Sequence, residues 1–160
     1  MTELFPGFDS QTILADGAYV FLRTGGSGPP LLLLHGFPQT HMMWHRIAPQ
    51  LAERFTLVIA DLRGYGRSSC PLNSDDNYTY SKQAMGRDFF TVMSALGHHQ
   101  FIVCGLDRGG RVAYRMALDE PSRVTRLALL DIVTTHVMWQ AFNATSAMNG
   151  YHWTFLAQDY

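Results

Sequence analysis

The chain has 160 residues, of which 47% are hydrophobic and 16% are charged, and its formal net charge is -1. This composition is typical of a single globular domain with one apolar core. The near-neutral balance and the absence of any run of Lys or Arg argue against a nucleic-acid partner.

The N-terminal stretch "MTELFPGFDS" has neither a basic region nor an apolar stretch, so it does not resemble a signal peptide. The longest aliphatic run, residues 31–34, is too short to span a bilayer. Cys70 and Cys104 form no Cys-x-x-Cys pair, which favours a reducing compartment over a disulfide framework. We therefore expect a cytoplasmic enzyme or binding domain without membrane contact.

The first half of the sequence predicts strands and one helical region. Asp16-Gly17, between two β-rich runs, predicts a hairpin, because Asp-Gly is a strong two-residue turn signal. "GGSGPP" predicts a loop and "LLLLHG" a buried strand. Residues 40–54 predict a helical region that is broken at Pro49. "FTLVIAD" predicts another buried strand, followed by the Gly-rich loop "RGYGRSS".

The second half alternates helices with strands. A helix is predicted from about Ser81 to Gly97. Its apolar face consists of Met85, Phe89, Val92, Met93 and Leu96. "QFIVCG" and "RVTRLALLD" predict strands, with the helix "GRVAYRMAL" between them. This alternation predicts an α/β fold with a mostly parallel sheet and helices on both faces.

Three predicted strands end in residues that suggest catalysis, and active sites of such sheets gather at the carboxyl ends of the strands. "LLLLHGFPQ" continues into the loop "HGFP", "LALLD" ends at Asp131, and "CGLDRGG" ends at Asp107. "GLDRG" matches the pattern Gly-x-nucleophile-x-Gly of a nucleophile elbow, with aspartate in the place of serine. A simpler interpretation is that Asp107 only caps the helix that follows. The strand contexts of "HGFP" and "GLDRG" favour the nucleophile.

The sequence resembles the α/β-hydrolases and, among them, the haloacetate (fluoroacetate) dehalogenases. The resemblance covers nearly the whole chain, in the order "HGFPQTHMMWHRIAPQLAERF", "ADLRGYGRSS", "GLDRGGRVAYRMALDEPSRV", "LALLDI" and "YHWTFLAQ". It implies an α/β-hydrolase fold in which residues 1–133 form the N-terminal part of the core domain. Residues 134–160 would be the start of a helical cap, so we expect a chain truncated just inside that cap.

The resemblance implies hydrolysis of short 2-haloacids, for example haloacetate to glycolate and halide, without a cofactor. Asp107 would displace the halide and form an ester. The main-chain N–H groups of Phe37 and Arg108 would form the oxyanion hole, and the side chains of Arg108 and Arg111 would bind the substrate carboxylate. In related epoxide hydrolases and haloalkane dehalogenases the residue after the nucleophile is typically tryptophan. Arg108 at this position favours an anionic substrate.

The resemblance also implies roles for residues near the two ends of the site. His152 and Trp153 match a His-Trp pair that would donate hydrogen bonds to the departing halide. Asp131 matches the carboxylate that orients a catalytic histidine. In this family that histidine follows the last strand, and none of the seven histidines of this sequence has such a position. The isolated chain is therefore expected to be inactive or to stop after one turnover.

Two other functions stay open. An epoxide hydrolase would use the same aspartate and needs a tyrosine acid, for which Tyr151 is the nearby candidate. A non-catalytic truncated hydrolase would retain a pocket for small carboxylates, and it would pair with the remaining half of the chain or with a second copy. His41 and His45 have the spacing of two metal ligands on a helix, but no third ligand accompanies them, and no metal site is expected.

Overall fold

The structure is a computed structural model, and it describes residues 4–151. Within these residues one mixed sheet has the strands β1 (Asp9–Leu14), β2 (Tyr19–Gly25), β3 (Pro30–Leu34), β4 (Thr56–Ala60), β5 (Phe101–Leu106) and β6 (Val124–Leu130). Their order across the sheet is β1-β2-β4-β3-β5-β6. The predicted hairpin at Asp16-Gly17 is confirmed, because β1 pairs antiparallel with β2. From β4 across the sheet through β3 and β5 to β6, neighbouring strands run parallel, as predicted.

The helices are α1 (Ala48–Ala52), α2 (Lys82–Ala95), α3 (Arg108–Asp119), α4 (Thr135–Gln140) and α5 (Ala144–Asn149), with short 3-10 helices at His41–Trp44 and Tyr78–Tyr80. The break predicted at Pro49 is wrong in position. It lies at residues 45–47, and Pro49 is in the first turn of α1. The first turn of a helix tolerates proline because its N–H groups have no partner within the helix.

Helices cover both faces of the sheet. Successive residues of a strand point to opposite faces, so the neighbours of alternating residues show what covers each face. Leu32 and Leu34 of β3 pack in a cluster with apolar residues of α2 and α3. Leu31 and Leu33 face the other way and pack in a second cluster with Trp44 and Ala48. The predicted α/β arrangement with helices on both faces is thereby confirmed.

The sheet brings the carboxyl ends of β3, β5 and β6 together at one edge. Leu34 pairs with Gly105, and Leu106 pairs with Leu130, so the loops after these three strands emerge side by side. At the far side of the described sheet, β6 is the edge strand, and Leu127 and Leu130 are exposed. Among residues 4–151, no helix combines the length and the apolar character that crossing a bilayer requires.

Candidate active site

Asp107 occupies a sharp turn between β5 and α3. Its backbone angles are φ 47° and ψ -113°, a conformation that residues other than glycine rarely adopt. Two glycines allow this turn to pack closely. A Cβ on Gly105 would overlap the main chain of Gly109, and a Cβ on Gly109 would overlap the main chain of Leu34 and His35. The "GLDRG" pattern therefore does form a strained elbow at a strand end.

The Asp107 side chain does not cap α3, so the capping interpretation is wrong. Its Oδ1 instead accepts a 2.9 Å hydrogen bond from the main-chain N–H of Phe37, which lies in the loop after β3. The approach is close, because a Cβ on Gly36 would lie 2.8 Å from the Cβ of Asp107. Within residues 4–151, no hydrogen bond to Oδ2 is found.

Arg108, the first residue of α3, lies near two aromatic rings. Its guanidinium carbon is 5.9 Å from the ring centroid of Phe37 and 5.8 Å from that of Tyr65. The Tyr65 ring in turn packs against His35 with 5.2 Å between the ring centroids. The roles predicted for Phe37 and Arg108 in an oxyanion hole, and for the Arg108 side chain in carboxylate binding, stay predictions.

Arg111 lies one turn further along α3, and its side chain is only 7% exposed. Its Nη1 donates a 2.9 Å hydrogen bond to the hydroxyl of Thr135, and its Nη2 lies 3.3 Å from the sulfur of Met138. Burial lowers the pKa of Arg111, the charge of Arg108 adds to this effect, and Asp107 opposes it. Arg111 therefore connects the elbow helix to α4 while it remains electrostatically coupled to Asp107.

Lys82 is electrostatically coupled to the charged residues of the elbow, and the sequence did not predict this. It is the only lysine of the chain, and it is the first residue of α2, after the cap residue Ser81. Burial lowers the pKa of Lys82 to about 8, Arg108 and Arg111 add to this effect, and Asp107 opposes it. A third cation thus lies within electrostatic range of the elbow. The sequence itself pointed to Lys82 only in that the chain has a single lysine.

Asp131 directly follows β6 and has a positive φ of 52°. Leu130 before it pairs with Leu106, so Asp131 and Asp107 follow paired residues on neighbouring parallel strands. The carbonyl of Leu130 also accepts a 3.1 Å hydrogen bond from the N–H of Asp107. The role predicted for Asp131 stays a prediction. His152 and Trp153, the predicted halide ligands, lie outside the described residues.

His35 and His41, which both follow β3 in the sequence, have structural hydrogen bonds. Nε2 of His35 accepts a 3.0 Å bond from the N–H of Leu62, so Nδ1 carries the proton and donates to the carbonyl of Gly36 at 2.8 Å. The ring of His41 lies 2.9 Å from the buried carboxylate of Asp61. Both imidazoles are therefore held by neighbouring groups of the fold.

A family model described as alpha/beta hydrolase fold matches residues 29–156. The chain belongs to the alpha/beta hydrolase family. It is similar to a fluoroacetate dehalogenase from a Burkholderia species, with 47% identity over 97% of this chain and 51% of the relative. It is also similar to a soluble epoxide hydrolase from Corynebacterium sp. strain C12, with 43% identity over 75% of this chain and 40% of the relative.

Solved structures of alpha/beta hydrolases share this fold. A protein from Nostoc sp PCC 7120 that is assigned to this family superposes with a TM-score of 0.94 and 52% identity, over 96% of this chain and 53% of the other. The chain thus spans about half the length of the Burkholderia relative and of the Nostoc protein. The expected fold class, an α/β-hydrolase fold, is confirmed.

Proposed function

We propose that this chain is part of a hydrolytic dehalogenase of short 2-haloacids, in which Asp107 is the nucleophile. One observation carries the proposal: a carboxylate at a strained elbow, with one oxygen held by the Phe37 N–H, has the guanidinium groups of Arg108 and Arg111 on the adjoining helix. A haloacetate presents the complementary pair, a carbon that carries a leaving group beside a carboxylate. The similarity to the Burkholderia fluoroacetate dehalogenase supports this substrate class.

In the proposed first step, Oδ2 of Asp107 attacks the carbon that bears the halogen. The carbon–halogen bond breaks, its electron pair leaves on the halide, and a carboxymethyl ester of Asp107 remains. Oδ1 becomes the carbonyl oxygen of this ester while it still faces the Phe37 N–H. Arg108 and Arg111 would hold the substrate carboxylate, and His152 and Trp153 would donate to the halide as its charge develops.

In the proposed second step, water adds to the ester carbonyl, and the negative charge on Oδ1 is stabilised by the N–H groups of Phe37 and Arg108. Collapse of this intermediate releases glycolate and regenerates Asp107. The water needs a base, proposed to be a histidine that Asp131 orients. His35 and His41 are not proposed for this role, because both rings are engaged in structural hydrogen bonds. The 160-residue chain is therefore expected to stop at the ester.

An epoxide hydrolase is the second candidate, and the similarity to the Corynebacterium enzyme favours it. Asp107 would then open a neutral three-membered ring, and an acid such as Tyr151 would protonate the ring oxygen. Tyr151 is 66% exposed at the end of the described residues. A neutral epoxide makes no use of Arg108 and Arg111, which is why the haloacid is proposed first.

The intact mass of the purified chain tests both candidates. The chain is incubated in parallel with chloroacetate, with neutral chloroacetamide and with 1,2-epoxybutane, and released chloride is measured in the two halide reactions. Asp107→Asn is the matched control, because it retains Cys70 and Cys104, which these reagents can also alkylate. The proposal expects that, with chloroacetate, the wild type gains one carboxymethyl group and releases one equivalent of chloride per chain beyond the amounts found for Asp107→Asn.

Three other results would contradict the proposal. An Asp107-dependent adduct with the epoxide alone would favour the epoxide hydrolase. Equal reaction with chloroacetate and chloroacetamide would show that the site does not recognise a carboxylate. If neither adduct formation nor chloride release depends on Asp107 with any reagent, a chain that does not catalyse the first step is favoured.

A further inference from the structure

We infer that Tyr65 is a positioning residue for Arg108: its ring holds the guanidinium in the orientation that meets an anionic substrate. The inference rests on the proposed function only in taking Arg108 as a ligand of the substrate carboxylate. Tyr65 lies in the loop "RGYGRSS" after β4, far in sequence from the elbow. Together, the rings of Tyr65 and Phe37 are called the aromatic clamp below.

Both rings of the aromatic clamp lie within cation–π distance of Arg108. The guanidinium carbon lies 5.8 Å from the Tyr65 centroid and 5.9 Å from the Phe37 centroid, within the ~6 Å range in which a ring face attracts a cation. An arginine side chain has many rotamers, and ordering it on binding opposes affinity. Contacts that hold Arg108 before the substrate arrives therefore increase affinity for the carboxylate.

Tyr65 is the fixed member of the clamp. Its ring packs edge-on against His35, with 65° between the ring planes. The main-chain N–H of Tyr65 donates a 3.0 Å hydrogen bond to the carbonyl of Leu62. His35 is fully buried and is itself held through both ring nitrogens. Phe37, by contrast, is 42% exposed. A contiguous set of packed groups thus runs from the core through His35 and Tyr65 to Arg108.

The Tyr65 hydroxyl does not compete with the substrate for Arg108. Burial raises the pKa of Tyr65, and although Arg108 opposes this effect, Asp107 adds to it, so the phenol is neutral near neutral pH. A neutral phenol carries no charge that would compete with a substrate anion for Arg108. The ring, rather than the hydroxyl, is therefore the part of Tyr65 that the inference assigns to Arg108.

Three variants at position 65 separate the ring from the hydroxyl. Tyr65→Leu removes the ring, and Tyr65→Phe removes only the hydroxyl. A ring-fluorinated phenylalanine at this position keeps the shape and withdraws electrons from the ring face, so it weakens the attraction without disturbing the packing. This last variant keeps the test valid should the leucine variant fail to fold.

The first readout is the NMR signal of the Arg108 Nε–H group, assigned through Arg108→Lys. The aromatic clamp should shift this signal by its ring currents in the wild type and in Tyr65→Phe, and the shift should diminish in Tyr65→Leu. Arg123 is the internal control, because its guanidinium carbon lies 5.0 Å from the Phe90 ring, away from the elbow. Its signal should stay unchanged in every variant that folds.

The second readout is the affinity for acetate, an unreactive carboxylate. Tyr65→Leu and the fluorinated variant should raise the dissociation constant about two- to fivefold, whereas Tyr65→Phe should leave it close to wild type. With chloroacetate, the concentration that gives half the maximal alkylation rate should rise likewise, and the maximal rate should change little.

The two readouts distinguish failure of this inference from failure of the proposed function. An unchanged Arg108 signal in folded Tyr65→Leu, an unchanged acetate affinity in the fluorinated variant, or an equal loss in Tyr65→Phe would overturn the inference. Should the wild type bind no acetate while the Arg108 signal still responds to Tyr65→Leu, the carboxylate role of Arg108 fails and the positioning by Tyr65 stands.

Discussion

The main-chain N–H of Phe37 and the carboxylate of Asp107 are joined by a 2.9 Å hydrogen bond across 70 residues of sequence. This bond fixes one carboxylate oxygen and thereby orients the other. It also brings a main-chain donor to the oxygen that would become the ester carbonyl. The loop after β3 is therefore as important to the proposed chemistry as the elbow itself.

Gly36→Ala should slow the alkylation of Asp107 by chloroacetate about tenfold or more. The added Cβ would lie 2.8 Å from the Cβ of Asp107, so the loop or the elbow must shift and the Phe37 N–H loses its alignment. The rate is measured by chloride release. Gly86→Ala is the control, since Gly86 lies in α2 away from the elbow and its added Cβ meets only the flexible side chain of Met116. Equal rates in both variants would contradict the prediction.

Acetate affinity should fall about two- to fivefold as the pH rises through 8, because Lys82, whose pKa is lowered to about 8, loses its charge there. Lys82 is protonated below that pH and attracts an anion, whereas above it Lys82 is neutral and Arg108 and Arg111 stay charged. Lys82→Met should bind acetate weakly at every pH, without this transition.

Lys82 can also be observed directly, since it is the only lysine of the chain. Selective isotope labelling of lysine gives one side-chain NMR signal, and its titration reports the pKa. A midpoint near the ordinary value of about 10.4 would show that the ammonium group is solvated and does not face the elbow. If the acetate affinity of Lys82→Met changes with pH as much as that of the wild type does, the transition belongs to another group.

Asp88→Asn should lower the free energy of unfolding by about 3 kcal/mol or more. Arg63 contacts both carboxylate oxygens of Asp88, with Nη2 at 2.6 Å from Oδ1 and Nε at 2.7 Å from Oδ2, and both side chains are buried. The substitution leaves the Arg63 charge buried without its counter-ion. Denaturant unfolding measures the loss.

The control for this ion pair is Asp119→Asn, which breaks the more exposed pair between Arg115 and Asp119. Such pairs contribute about 0.5 kcal/mol or less, because solvent screens them. Comparable losses in the two variants would mean that burial of the Arg63–Asp88 pair does not govern its contribution.

Stability should decrease as the pH falls below about 6.5, the ordinary pKa of histidine. Burial lowers the pKa of His35, although its bond to Gly36 and the charge of Asp61 oppose this effect. The unfolded chain therefore takes up this proton at a higher pH than the folded chain does, which favours unfolding as the pH falls. Protonation also removes the acceptor for the Leu62 N–H.

His35→Gln tests this assignment, since its amide oxygen can accept the Leu62 N–H without titrating. The decrease in unfolding free energy between neutral pH and about pH 5 should be smaller in this variant than in the wild type. His99→Gln, at an exposed position, should retain the wild-type slope. The same slope in all three proteins would assign the acid sensitivity to other groups.

Several features of this protein follow from local sequence alone. The alternation of apolar strands with amphipathic helices determined the α/β class, because side-chain periodicity decides which face of an element is buried. The glycines of "GLDRG" determined the elbow, because only residues without a Cβ fit where α3 passes close to β3 and β5. The Asp-Gly turn determined the first hairpin, because the backbone conformation of a two-residue hairpin turn favours this pair of residues.

Other features were decided only by the tertiary structure. The sequence favoured a nucleophile at Asp107 but could not exclude a helix cap, because the partner of its side chain is the N–H of Phe37 on another strand's loop. Tyr65 and Lys82 come to the elbow from the loop after β4 and from the start of α2. Periodicity and turn chemistry act over a few residues, whereas the contacts of a site join residues that are distant along the chain, and only the packing of the whole sheet brings them together.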